Sequence, residues 1–215
     1  MFRCLLFLTA CTILANTVIA DSVDYGDLQG QGLLFSQITE ISSSDNLPLY
    51  GAPSVAGNSL IFNNPNFSVN ADANGQEFVD GRIAFSVTST NGRLLTGITL
   101  NESGVFQLNG SNSEASINAI AFAVGGGVTY PAEFENVSQS ESVSRWQNSL
   151  TIEFDQPLTS FSFDADNQLF ALAGIDSSSF VDKQNISLTV SSIPEPAATT
   201  GLLFCGLLLL RRKRV

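Results

Sequence analysis

Two short segments carry oxygen donors at alternate positions: Asp72-Ala73-Asn74-Gly75-Gln76-Glu77 and Asp164-Ala165-Asp166-Asn167. Carboxylate and amide oxygens at that spacing are hard donors suited to Ca²⁺. Asp72, Asn74, Asp164 and Asp166 are therefore the candidate metal ligands. Neither segment completes a twelve-residue calcium loop, because the distal acid is absent or misplaced. Asp and Asn are also favoured in turns, where their side chains bond their own backbone. The turn is the stronger reading of each segment, and Ca²⁺ is the one cofactor the sequence suggests.

Acid pairs at Glu133/Glu135 and Glu153/Asp155 have the residue types a glycosidase needs. With twenty acidic residues in the chain, chance pairs are expected, and Glu153 and Asp155 fall on the polar side of a strand pattern. The chain has no histidine, which excludes nucleophilic triads built on it and histidine-ligated zinc or copper. No catalytic residue is assigned and the protein is read as not an enzyme. Arg145-Trp146 holds the single tryptophan. An exposed indole could stack on a sugar ring, but one at a strand start more often packs in a core or at its rim.

The elements that must hold these residues have a period of two. Arg82–Thr90 sets Ile83, Phe85 and Val87 against Ala84, Ser86 and Thr88. Ile117–Val124 sets Ile120, Phe122 and Val124 against Ala119, Ala121 and Ala123. Leu150, Ile152 and Phe154 alternate with Thr151, Glu153 and Asp155; Phe161 and Phe163 continue beyond Pro157, and Ile186, Leu188 and Val190 form a last strand. Such alternation means half-buried strands. Turn signals separate them at Asn74-Gly75, Asp80-Gly81, Asn91-Gly92, Asn109-Gly110 and Gly125-Gly126-Gly127. Gln139–Ser144 reads as a polar loop. No window between Asp21 and Ile193 has the apolar spacing of an amphipathic helix. The expected fold is all-β, an antiparallel β-sandwich of jelly-roll type.

The two ends have different compositions from this middle. Met1–Ala20 has a minimal basic start at Arg3, a largely apolar run over Cys4–Ala15, and a small-residue cleavage site at Val18-Ile19-Ala20. That is a signal peptide cut between Ala20 and Asp21. An uncleaved anchor is the alternative; the lipobox-like Leu8-Thr9-Ala10-Cys11 leaves too short an apolar region before it. At the other end Pro194 and Pro196 hold Glu195 in an extended segment. Residues 197–210 are uncharged and end in Arg211, Arg212, Lys213 and Arg214. A membrane helix stopped on the cytoplasmic side by that basic cluster fits the pattern. Fourteen residues make only about 21 Å of helix against a hydrocarbon core of about 30 Å. Snorkelling Arg and Lys stems offset the shortfall. A buried core helix, the other reading of so short a run, would not normally end the chain in a block of cations.

The order Pro194-Glu195-Pro196, apolar helix, Arg-rich end resembles a PEP-CTERM sorting signal, over about the last twenty-three residues. The resemblance implies an exported protein of an exopolysaccharide-producing Gram-negative bacterium. It also implies an exosortase as partner, which would cut near the motif. Asn148–Asp166, with Phe154, Pro157, Phe161, Phe163 and Asp164, resembles a strand-Pro-strand unit of β-sandwich cargo domains in such proteins.

The expected organisation is a signal peptide (1–20), an exported sandwich (21–190), a linker with the Pro-Glu-Pro motif (191–196), a transmembrane helix (197–210) and a cytoplasmic tail (211–215). Cys4, Cys11 and Cys205 all lie in the terminal segments, so the sandwich has neither thiol nor disulfide. It holds four basic residues, Arg82, Arg93, Arg145 and Lys183, against all twenty acids when Glu195 is included. Such a charge repels nucleic acid. The expected role is a surface or exopolysaccharide-matrix (biofilm) protein, exported through the general secretion machinery, held transiently at the inner membrane and then extracellular. The alternatives are a lectin-like glycan-binding module, Ca²⁺-assisted or not, and a permanently anchored sandwich protein.

Overall fold

A computed structural model of the protein describes residues 21–42, 47–63, 65–138 and 142–193. The segments read as signal peptide, Pro-Glu-Pro motif, membrane helix and basic tail all lie outside the described residues.

Twelve strands make up the described chain: β1 (Asp21–Gln29), β2 (Leu33–Ser42), β3 (Ser54–Ala56), β4 (Ser59–Asn63), β5 (Ser68–Asp72) and β6 (Gln76–Ser89). They continue with β7 (Leu94–Asn109), β8 (Glu114–Gly125), β9 (Val128–Ser138), β10 (Ser142–Leu158), β11 (Ser160–Leu172) and β12 (Ser178–Ile193). The described residues contain no helix. One sheet has the order β1-β2-β6-β11-β8-β9, and the other β10-β7-β12-β4-β3. β5 also joins β12, pairing with Ser178–Asp182 while β4 pairs with Asn185–Thr189. All pairings are antiparallel.

From β5 onward the strands interleave. β6-β11-β8-β9 fall in the first sheet and β5-β12-β7-β10 in the second, which is the double winding of a jelly roll. β1 and β2 widen the first sheet, and β3 and β4 the second.

The alternation read from sequence places the core. Ile83, Phe85 and Val87 of β6, Leu150, Ile152 and Phe154 of β10, and Ile186, Leu188 and Val190 of β12 are all buried between the sheets. Phe85 meets Phe163 at 5.2 Å between ring centroids, and Phe154 of β10 meets Phe161 of β11 at 4.9 Å. The Pro157 step is thus the crossing from the second sheet to the first, with a phenylalanine on each side of it.

Four of the five turn signals fall between strands, and at Asn91-Gly92 the glycine has φ 76°, a left-handed conformation that costs glycine little. Asp80-Gly81 is no turn; it lies within β6. A Cβ on Gly81 would come within 2.9 Å of both Leu49 and Phe67, so this glycine answers to packing. Ser142–Ser144, read as loop, are strand paired with Leu108, Gln107 and Phe106, while 139–141 lie outside the described residues. Ser191 and Ser192, read as linker, continue β12 against Gly97 and Leu95.

Candidate functional site

β8 determines the character of the first sheet's outer face. Its alanines, Ala115, Ala119, Ala121 and Ala123, point into the core at 0% exposure, while Phe122 and Val124 stand outward at 41% and 43%. Small residues inside and large apolar ones outside reverse the usual arrangement. Residues opposite one another in antiparallel register share a face, so the rows across the sheet follow from the pairing. Ala84, Asp164, Phe122 and Pro131 form one row; Arg82, Asp166, Ile120 and Glu133 the next; Ser86, Ser162, Val124 and Thr129 a third.

The β6-to-β8 part of these rows, with Thr129 of β9 but without Ile120, Pro131 or Glu133, floors a groove of about 940 Å³, within the range of small-ligand sites. β1 and β2 wall it with Asp24, Asp27 and Gln37, where the Asp27 carboxylate accepts the Gln37 amide at 2.9 Å. Ala84, Ser86 and Ser162 keep its floor low.

Arg82 is the groove's cation. Its Nε donates to both oxygens of Asp164, at 2.7 and 2.9 Å, and its Nη2 bonds Oδ2 as well. The hydrogen bond to Asp164 raises the guanidinium pKa above its ordinary value. Asp166 lies opposite Arg82 in register, yet its Oδ1 is buried without a hydrogen-bond partner. Burial first, and then the charge of Asp80, pushes its carboxyl above the usual range, against the pull of Arg82.

The sequence candidates therefore separate. Asp164 and Asp166 share the groove. Asp72 and Asn74 sit at the β5–β6 turn, where the Asp72 carbonyl accepts the Gly75 amide at 3.1 Å and Asn74 has φ 69°. Both Asp164 oxygens are engaged by Arg82, so a cation there would compete with the guanidinium. Among the described residues no cluster of three or more acids is placed to hold a metal ion. Glu133 and Glu135 lie on edge strand β9, and Glu153 and Asp155 on β10, all outside the groove lining. Trp146 is buried at 5% exposure, tilted against Phe106 at 6.2 Å. Its neighbour across the pair is Gly104, where a Cβ would overlap the indole and the Asp182 carbonyl.

Sequence reasoning missed a polar chain inside the core. Lys183 Nζ on β12 donates to Glu102 Oε2 on β7 at 2.6 Å, with both side chains at 0% exposure. It also donates to Asn167 Oδ1 on β11. Asn167 Nδ2 donates to the Tyr50 hydroxyl at 2.7 Å, and that hydroxyl donates to the Gly81 carbonyl at 2.9 Å. Glu40 accepts the Tyr50 amide at 3.1 Å and the Tyr25 hydroxyl at 2.5 Å. Burial drives the Tyr50 hydroxyl pKa well up and the Lys183 ammonium down, the latter against the attraction of Glu102. The signal was present in the pattern: Glu102 follows Ile98 and Leu100 at inward positions, and Lys183 follows Val181.

No family model matches the chain, and no curated protein matches it. Among solved structures it is similar to TmCBM61 in complex with β-1,4-galactotriose, at 11% identity and TM-score 0.24, over 67% of this chain and 90% of that one. It is also similar to a family 29 carbohydrate-binding module, CBM29-2, at 15% identity and TM-score 0.23, over 78% and 87%. A structure of carbohydrate-binding modules from the β-sandwich superfamily aligns at 11% identity and TM-score 0.26, over 81% and 75%. Likenesses of that size leave the reading to the geometry.

Proposed function

We propose that the protein binds a neutral polysaccharide along the outer face of its first sheet and catalyses no reaction on it. The observation that carries this is the outward turn of Phe122 and Val124 over a groove bordered by Arg82, Asp164 and Asp166. Sugar rings present apolar C–H faces and a rim of hydroxyls, which match an aromatic platform beside charged hydrogen-bonding groups. Asp24, Asp27, Asp164 and Asp166 outnumber Arg82 there, so an acidic glycan would be repelled. Affinity electrophoresis through gels cast with neutral or acidic polysaccharides tests the reading. Retardation by a neutral glycan, lost in Phe122→Ala while the melting temperature holds, is expected. Unretarded migration in every gel would overturn it.

A second proposal rests on Pro194-Glu195-Pro196 and the basic cluster Arg211–Arg214. We infer that an exosortase processes the chain there, delivering the sandwich to the cell surface or matrix. β12 ends at Ile193, next to the motif, so a cut within or beyond it would leave every described strand intact. The mature mass from the native host should end near Pro196, and changing the motif to three alanines should retain the protein in the membrane. A mature chain still carrying Arg211–Val215 would make the C-terminus a permanent anchor.

A further inference from the structure

Lys183, Asn167 and Glu102 meet where the two sheets face each other: Lys183 on β12, Glu102 on neighbouring β7, Asn167 on β11 of the opposite sheet. As a salt bridge this is a poor arrangement. Two buried charges repay their desolvation only when their remaining hydrogen-bonding capacity is met, and Glu102 Oε1 has no partner. The amine also lies 5.2 Å from the centre of the Phe67 ring. Tyr50 holds the Asn167 amide by its nitrogen at 2.7 Å, while its carbonyl side meets the lysine.

A buried amine, a carboxamide and a carboxyl in contact are the components of an acyl transfer. We propose that Lys183 and Asn167 form an intramolecular isopeptide bond, with Glu102 carrying the protons. Glu102 takes a proton from Nζ, and the neutral amine attacks Cγ of Asn167. The Nζ–Cγ bond forms and the carbonyl electron pair moves to Oδ1. Glu102 passes its proton to Nδ2, the carbonyl re-forms, and the Cγ–Nδ2 bond breaks with release of ammonia. Glu102 then takes the second proton from Nζ and ends as a neutral carboxylic acid. Atoms and charge balance, and no co-reactant is required.

The surroundings favour each step. Burial lowers the Lys183 pKa, which frees the lone pair, as in other desolvated lysine nucleophiles. The core excludes the water that would compete as nucleophile. Holding the amine on the carboxamide makes the attack intramolecular, and well-oriented intramolecular reactions reach effective molarities of about 10⁵–10⁸ M. The unpartnered Oε1 gives Glu102 a site to hold a proton between transfers. The product ties one sheet to the other in a domain that has no cysteine among its described residues.

Peptide mass spectrometry of the full-length protein, digested under denaturing conditions, tests this. Asp176 and Asp182 lie between the bonded residues, so cleavage at aspartate should leave the Asn167 and Lys183 peptides joined and lighter by one ammonia. Trypsin should fail to cut after the acylated Lys183. Glu102→Gln should yield the two peptides separately; a joined pair in that variant would remove Glu102 from the mechanism. Separate peptides from folded wild-type protein overturn the bond itself, whether or not the variant folds. Loss of ammonia without joining, as from a succinimide at an Asn-Gly step, overturns it equally.

Discussion

Asp166 is a carboxyl whose ionisation this fold resists. Its unfolded carboxyl loses its proton around pH 3.8, and burial holds the folded one to higher pH. Between those values the folded state binds more protons, so stability falls as pH rises through the window. The penalty is absent below the unfolded value and complete above the folded one. Asp166→Asn should therefore raise the melting temperature at neutral pH, with the two proteins converging in acid. Parallel melting curves at every pH would show that Asp166 is not strained. At this scale the sequence was only partly legible. Asp164 and Asp166 could be singled out as oxygen donors, but their engagement by Arg82 depends on β6 lying beside β11, which no local spacing encodes. Glu102 and Lys183 are legible in principle, as charges in the apolar register of a strand, but nothing in the sequence alone pairs them. Trp146 packs in the core, the commoner fate of an indole at a strand start.

Among the elements, β8 joins packing to function. Its inward alanines bring β8 close against the facing strands, while its outward Phe122 and Val124 form the groove's apolar surface. Ala121→Leu would force extra methylenes into a filled layer, at a cost of roughly 1–3 kcal/mol. Urea unfolding should show that loss, and an unchanged midpoint would mean the layer has spare room. Period-two alternation identified β8 from sequence, but not which face is buried, because both of its faces are apolar. The same degeneracy affected Asp80-Gly81: a glycine that frees a turn and a glycine that admits a neighbour's side chain read alike. Where one face was polar, as in β10, the alternation gave the orientation directly.

For the molecule as a whole, charge sets the terms. Four basic residues face nineteen acids over residues 21–193, and Lys183 is buried against Glu102. Self-repulsion of that size destabilises a compact state, and salt screens it. The melting temperature should rise from low to high NaCl; a flat response would mean the acids are too dispersed to matter. The all-β class and the positions of β6, β8, β10, β11 and β12 follow from the chain's own periodicity, whereas β1 to β5, β7 and β9 are not read from it. The interleaving of the sheets does not, because it depends on pairings up to well over a hundred residues apart, such as Ser59 with Thr189.

β12 has one more consequence. It lies inside the second sheet, bonded along one side to β7 and along the other to β4 and β5, and it is the last strand before the segment that would be anchored or cut. A pull on the chain beyond Ile193 acts along the axis of this strand. Its backbone bonds are then loaded together in shear and do not open one at a time like a zipper. A tethered protein tugged by flow or by a bound polymer would meet that load with a strand paired along both of its sides.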